Sequence, residues 1–464
     1  MNVQYETCMS IGSKCNLDPA IAIDTTGISC EQGEISPFYI NVHKAADVQA
    51  AFEFSAQTGV PLSIKNTGHD YLGRSRRQNS LGLWTHNLQA MEYRPNFTPS
   101  GCTGSYRAIK IGAGVTFEQL DKFADDNNAT FVGAFAQTVG ASGGWIMGGG
   151  HSVLSPTLGL GVDRVLEIKL VTPDGVFRTV NACQNTDLFW ALRGGGGGTF
   201  GVVLESTHRV EERQPIQVMS VSFIPSSTSL PSFFETLVNS SKGIVYVNPR
   251  LSLGDASSSM APLSACAATN NGSAVISTLP SWYEFFLQFI IYDEASVGHS
   301  GVSASKLLPK TKFESMKGRA ELVSHLVDQT ERFGFPYIGV VTPISFDHTP
   351  GATTVTPAWR DSLWHIEASS QWPANSSLNT IHETLETMHE FGHRNLTTLA
   401  GPHSGVYFNE GDVYQSNHEQ EYWGDNYPRL LAVKQKYDPM GLLDCWRCVG
   451  WLGPAAFPCY PRVD

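Results

Sequence analysis

The chain has 464 residues, 41% of them hydrophobic and 16% charged, which excludes a disordered polymer and allows two or three domains with cores of their own. Its 31 basic and 43 acidic residues give a formal charge of −12, spread without long runs of one sign. That balance argues against nucleic acid or an anionic membrane as partner, and no apolar run reaches the roughly 18 to 20 residues of a membrane span.

The N-terminus shows no charged-then-apolar signal pattern, and residues 1–35 read as a polar, cysteine-bearing lead-in tied down by a disulfide. Phe38–Val42 reads as a strand, Ala45–Phe54 as a helix from its alanine content and apolar spacing, and Leu62–Ile64 as a second strand, a βαβ opening. The chain then breaks into the polar turn Asn66-Thr67-Gly68-His69-Asp70-Tyr71-Leu72-Gly73-Arg74-Ser75. Gly68 and Gly73 permit φ > 0 and bring backbone N–H groups forward, with Asn66, Thr67 and Ser75 as short polar neighbours, which suits an anion.

Leu81–Thr85 and Ala108–Ile111 read as strands, and Thr116–Ala124 as a helix capped by Thr116. A second glycine-dense run follows at Thr138-Val139-Gly140-Ala141-Ser142-Gly143-Gly144 and continues through Gly148-Gly149-Gly150-His151. Val165–Thr172 and Val176–Val180 flank the turn Pro173-Asp174-Gly175 as a hairpin, and the short helix Asp187–Leu192 precedes a third run, Gly194 to Gly201. Three such runs within one domain's length are costly to order, so backbone must approach something large and flat or polyanionic; a dinucleotide answers to this. A nicotinamide fingerprint is absent, because no Gly-x-Gly-x-x-Gly opens a helix with an acid about 20 residues later.

Beyond Val210 the glycine runs stop, and Ser/Thr-rich loops separate the remaining elements. Val218–Phe223, Glu284–Tyr292, Trp364–Ala368 and Gly405–Phe408 read as strands; Ser232–Val238, Ala304–Leu308, Ser377–Gly392 and 428–437 read as helical. A boundary is placed near Gln214. Six sequons begin at Asn96, Asn128, Asn239, Asn271, Asn375 and Asn395 and point to the secretory pathway.

Nine cysteines include terminal clusters, Cys8, Cys15 and Cys30 against Cys445, Cys448 and Cys459, the pattern by which disulfides pin chain ends in an oxidising compartment. Cys102, Cys183 and Cys266 stand apart, and the odd total leaves at least one thiol free or intermolecular. Cys445-Trp446-Arg447-Cys448 also has the form of half a zinc site or a redox pair, but no second paired-cysteine or His-rich motif completes it, and no metal is expected.

Thr67-Gly68-His69, the Ala136-Gln137-Thr138-Val139-Gly140 run and Tyr407-Phe408-Asn409 carry a resemblance. From about Ser36 to Val210, and again from about Tyr407 to Leu452, the chain is similar to FAD-linked oxidases of the vanillyl-alcohol oxidase/p-cresol methylhydroxylase superfamily. It resembles the berberine-bridge-enzyme-like branch, especially its secreted fungal members. The resemblance implies an α+β fold with a two-part FAD-binding domain, at 36–213 and in the return at 405–464, and an α+β substrate domain with an antiparallel sheet at 214–404. It also implies that His69 is bonded covalently to the flavin 8α-methyl group. Ala136 stands where many relatives carry a cysteinyl link to flavin C6, so a single link is expected.

The expected FAD contacts are His69, Asn66, Thr67, Gly68, Asp70, Gly73, Thr138, Gly140, Ser142, Gly143, His151, Val202 and Asn409. A neutral imidazole suits the attachment because its nitrogen is nucleophilic near neutral pH. Asp70 is expected either to orient that imidazole or to sit as a solvated turn residue; His151 either faces the flavin or bonds a neighbouring carbonyl; Trp145 packs. Tyr407 and Glu410 are the catalytic candidates, ahead of Glu367, Asp361 and Tyr337, since a base must reach the proton it removes. The implied activity is hydride transfer from a C–H next to oxygen or nitrogen of a small alcohol, sugar or secondary-metabolite intermediate to flavin N5, in a secreted monomer with dioxygen as acceptor. Two alternatives stay open: an FAD-retaining, non-redox isomerase or cyclase, and a secreted glycoprotein that holds flavin as a structural element.

Overall fold

The computed structural model describes residues 7–15, 31–222, 226, 228–240, 245–292 and 299–460. Strands β1 (Phe38–Asn41) and β2 (Leu62–Lys65) flank β3 (Leu81–Trp84), which runs parallel to both. The helix Ala45–Thr58 crosses from β1 to β2. It starts where the Asp47 carboxylate accepts the His43 and Lys44 amides, and it ends at Gly59 with φ +73°. The polar turn 66–75 therefore leaves the carboxyl end of a parallel strand, where open α/β units hold ligands.

A five-stranded antiparallel sheet follows, ordered β4 (Met91–Phe97), β5 (Tyr106–Gly112), β9 (Val202–Arg209), β7 (Val165–Val171), β8 (Phe177–Asn181). A small pair, β6 (Ala129–Thr130) with β10 (Glu211–Glu212), closes it off. The helix Phe117–Asp126 is capped as expected, with the Gln119 side chain accepting the Thr116 amide at 3.0 Å. Its Phe117 packs with Trp145, Trp190 and Phe200 in a core that also takes Trp423 and Leu430 from the C-terminal stretch.

Next, β11 (Ile216–Ser222) lies between β12 (Val245–Asn248) and β13 (Ser273–Leu279). A third antiparallel sheet places β16 (Ser362–Pro373) between β14 (His299–Pro309) and β15 (Tyr337–Gly339). Strand alternation splits β16 by face. Trp364 and Ile366 point into a core with Phe233, Phe234 and Leu322 from the helices Ser229–Ser240 and Met316–Phe333, while His365 and Glu367 take the opposite face.

Several expectations are corrected. Glu284–Tyr292 is not a strand but the end of the helix Trp282–Phe285 running into the π-turn Phe286–Ile290. Its buried side chains Phe285, Phe286 and Ile290 recur at helical spacing, while Gln288 and Tyr292 are exposed. Ala304–Leu308 is not a helix start but the middle of β14, where pairing along β16 overrides the helix propensity of Ala and Lys. Gly405–Phe408 forms no strand: Gly405 accepts the Leu307 amide, Val406 donates to Glu421, and the chain turns into a 3-10 segment, Phe408–Glu410. Cys102 and Cys183 are bonded to each other, Cys8 to Cys459 and Cys445 to Cys448, whereas Cys266 is a free thiol. Cys30, Phe223, Ser241 and most of the lead-in lie outside the described residues. Among the described residues no helix is long and apolar enough to cross a membrane.

Candidate functional site

Where the turn after β2 meets the second and third glycine runs, a cleft holds about 810 Å³ of empty space, part of it open to solvent. Asn66, Thr67, Gly68, His69, Asp70, Gly140, Ser142, Gly143 and Asn409 all line it. Gly197, Gly198, Val203 and Phe408 line it too, and sequence reasoning did not single these out as contacts. The runs are glycine because they pack against one another's neighbours. A Cβ on Gly140 would sit 2.4 Å from Asn66 Nδ2, and one on Gly196, whose φ is +98°, would sit 2.5 Å from the Phe408 ring.

The polar groups here are poised for something other than protein. Among the described residues no protein acceptor faces the backbone N–H of Gly68, His69, Ser142 or Gly143. Asn66 donates to the Ala113 carbonyl, yet its own buried Oδ1 has no partner. Unpaired amides at a glycine-walled bend suit a pyrophosphate, and a long cleft suits a flavin dinucleotide, so these residues fit FAD.

His69 Nε2 and the Thr138 hydroxyl are 2.6 Å apart, and burial pushes the imidazole pKa down to about 4, so the ring is neutral. Thr138 lines an adjoining opening with Trp84 and His86 that shares His69 with the cleft. Gly73 and Val202 do not reach the cleft, and Asp70 reaches it in a different role from the one expected. Asp70 does not orient His69: its carboxylate accepts the Ser75 amide and closes its own turn. Gly73, at φ +76°, lines no part of the cleft; its missing side chain makes room for the Tyr460 hydroxyl, 2.8 Å from where a Cβ would lie. Val202 is fully buried among Val171 and Leu443, and its neighbour Val203 reaches the cleft because the side-chain period of a strand is two.

Behind Asn409 the 3-10 turn presents Glu410 to two imidazoles. His151 Nε2 lies 3.1 Å from Glu410 Oε1, and His365 Nε2 lies 3.2 Å from Oε2. His151, expected to face the flavin or to bond a neighbouring carbonyl, thus meets a carboxylate instead of a carbonyl. Burial pushes the Glu410 carboxyl up, but the two imidazoles outweigh it and hold the group below its ordinary value. His365, fully buried on β16, is pushed down to about 4 by that burial. Glu367, two residues along the same strand face, is raised by burial and then by the Glu410 charge.

Tyr407 donates to the Trp145 carbonyl at 3.3 Å and accepts from Asn409 Nδ2 at 2.7 Å. Burial, then the Glu410 charge, push its phenol far above the ordinary tyrosine value, which disfavours a phenolate. Trp359 stacks on both imidazoles, with ring centroids 6.1 Å from His151 and 5.7 Å from His365. Its neighbour Arg360 grips Asp163 with two hydrogen bonds, at 2.7 and 2.9 Å, fastening the segment that carries Trp359 to the short helix Gly161–Arg164. Asp361 is exposed, paired only loosely with Lys310. Trp145 is buried edge-on to Phe117 at 4.8 Å, as expected of a packing residue.

A family model described as an FAD binding domain matches residues 37–181, and one described as berberine and berberine like matches 406–443. The chain is 39% identical over 486 residues to the FAD-linked oxidoreductase cheF of Chaetomium globosum, covering 99% of this chain and 79% of that protein. It is also 39% identical over 505 residues to the FAD-linked oxidoreductase ffsJ of Aspergillus flavipes, covering 96% and 82%. Among solved structures, a VAO-type flavoprotein of Myceliophthora thermophila C1 superposes with a TM-score of 0.82 at 28% identity over 91% of this chain and 81% of that one. The Acremonium strictum glucooligosaccharide oxidase, whose FAD is 6-S-cysteinyl and 8α-N1-histidyl, shares the fold with a TM-score of 0.74 at 19% identity, over 90% and 92%. With near-complete coverage by such relatives and a shared α+β architecture, the chain belongs to the FAD-linked oxidoreductases, as a berberine-bridge-enzyme-like flavoprotein of the VAO family.

Proposed function

We propose that this FAD-linked oxidoreductase is an oxidase of a small alcohol, sugar or secondary-metabolite intermediate, with dioxygen as acceptor and hydrogen peroxide as product. The observation that carries the reading is the Glu410 carboxylate, held next to cleft-lining Asn409 and between two imidazoles. When bound, FAD supplies the hydride acceptor. Glu410 takes the proton from the substrate hydroxyl or amine, and His151, hydrogen-bonded to Oε1, orients the carboxylate and passes the proton on. Tyr407 keeps its proton and serves with Asn409 as a positioning pair. Trp359 and Tyr407 present aromatic faces that exclude water from the carboxylate.

His69 is the single covalent attachment in this reading. A neutral, half-buried imidazole is the form able to attack, and Ala136 offers no thiol. The division into a flavin-binding part, 36–213 with 405–464, and a substrate part, 214–404, belongs to the same reading. So does a secreted monomer: the asparagine of every one of the six sequons is exposed, and disulfides join distant segments.

The experiment is an absorption spectrum of acid-precipitated protein, with a peptide map, followed by assay of a substrate panel for flavin bleaching and peroxide. Yellow retained in the pellet and mapped to His69, with peroxide released, is the expected result. Colour washed off by denaturant removes the tether; product without bleaching or peroxide replaces the oxidase with a redox-neutral isomerase or cyclase.

A further inference from the structure

Three stretches far apart in the chain converge on one small volume. His151 leaves the second glycine run, His365 comes from β16 and Glu410 from the 3-10 turn, so no sequence spacing links them. We propose that His151, His365 and Glu410 form a binding site for one zinc ion.

The donor set and its dimensions carry the proposal. Two imidazoles and a glutamate are the ligands of a known class of zinc centre, in which the fourth position is left to water or substrate. Zinc bonds imidazole nitrogen and carboxylate oxygen at about 2.0–2.2 Å, which sets neighbouring ligand atoms of a tetrahedron roughly 3.3 Å apart. His151 Nε2 lies 3.1 Å from Oε1 and His365 Nε2 3.2 Å from Oε2, so each imidazole meets its own carboxylate oxygen near that spacing, and one ligand atom from each of the three residues lies within 4.8 Å of the others.

The state of His365 is an independent pointer. It is fully buried, and neither ring nitrogen has a hydrogen-bond partner; nor has Glu410 Oε2, because the 3.2 Å contact between them is not aligned as a hydrogen bond. Buried polar atoms rarely go unpartnered. An ion between them would satisfy Nε2 and Oε2 together. The charge balance agrees, since among the described residues Glu410 meets no Lys or Arg, only the two imidazoles.

Zinc at this position occupies the carboxylate that the oxidase reading uses as base. Binding does not depend on that reading, whereas inhibition does, and the two are measured separately. Flavin-loaded protein, dialysed against chelator and then into clean buffer, is titrated with zinc chloride by calorimetry. One saturable equivalent is expected, weakened by at least about 100-fold in H365N and in E410Q, since a lost ligand costs more than the roughly 10- to 100-fold of a lost outer-shell partner, both variants checked for retained flavin absorbance and far-UV dichroism. Because a change at buried position 365 can disturb the sheet, crystals of the unmodified protein soaked in zinc chloride give a second measurement, with anomalous density expected between the three side chains. Absent saturable uptake, uptake unchanged in both variants, or density placed elsewhere overturns the site. Turnover assayed with zinc and then with EDTA tests the other reading: reversible inhibition supports Glu410 as base, and saturable binding without inhibition keeps the zinc site while removing Glu410 from that role.

Discussion

The flavin cleft and the trio behind it touch at Asn409 and Glu410 but are made of different material. The cleft is mostly backbone: amides of Gly68, His69, Ser142 and Gly143, walled by glycines whose side chains would collide with Asn66 or Phe408. The trio is side chains, brought together by the pairing of β16 with β14 and by the return of the chain after Gly405. A backbone site leaves its mark in composition, because only glycine permits those approaches. A side-chain site of this kind leaves almost none, since histidine and glutamate occur everywhere and only tertiary register selects them.

Substitutions can break or sharpen that contrast. The largest effect is expected from Glu410→Gln, which keeps the shape and removes the basic charge: kcat/KM on the accepted substrate falls by about 10²–10⁴, with flavin content unchanged. Flavin lost along with activity would mean that the trio also builds the cofactor site. Next, Trp364→Ala empties a fully buried position beneath His365 and costs about 3–5 kcal/mol in denaturant unfolding. If the sheet that carries β16 is energetically separate from the cleft, the flavin-to-protein ratio of the folded variant stays at the parent value.

Gly140→Ala tests the cleft from its own side. Its Cβ meets Asn66 Nδ2 at 2.4 Å, so a loss of about 1–3 kcal/mol is expected, with reduced flavin content in the visible spectrum. Full flavin loading in that variant would show that the glycine run yields easily. The smallest effect at neutral pH concerns His208, buried and hydrogen-bonded to Ser206 at 2.7 Å. Burial pushes its pKa down to about 3, below the ordinary 6.5, so the unfolded chain takes up the proton first. Its contribution to stability is complete above pH 6.5 and is lost as pH falls toward 3, by about 1.4 kcal/mol per pH unit. His208→Asn should flatten that part of a stability-versus-pH curve; an unchanged slope would show that other buried groups set it.

The same contrast governs what could be read from the chain. The parallel opening, the capped helix after Thr116 and the hairpin at Pro173-Asp174-Gly175 were legible because local signals and tertiary structure agree there. Strand β4 was not: it is an edge strand holding Pro95, with a register shift between Arg94 and Phe97, so its pattern lacks alternation. In β14 the run Ala304-Ser305-Lys306-Leu307-Leu308 looks helical until its partner is known. His69, Asn66 and Glu410 were reachable from motifs, whereas His365 and Trp359 lie in the stretch where resemblance is loosest, and β16 reads as an ordinary strand. Gly73 misled for a physical reason: a positive-φ glycine beside a ligand loop was serving Tyr460 instead.

Tyr460 belongs to a wider stitch. Arg74, from the turn that carries His69, lays its guanidinium 3.7 Å over the Phe408 ring and donates to the Phe408 and Trp446 carbonyls, and the Cys8–Cys459 bridge fastens the same two ends. The nascent chain therefore exposes its first glycine bend hundreds of residues before the partners that finish it emerge from the ribosome. A cleft walled by Phe408 is complete only once that distant segment has been made, so the order of synthesis and the order of assembly differ.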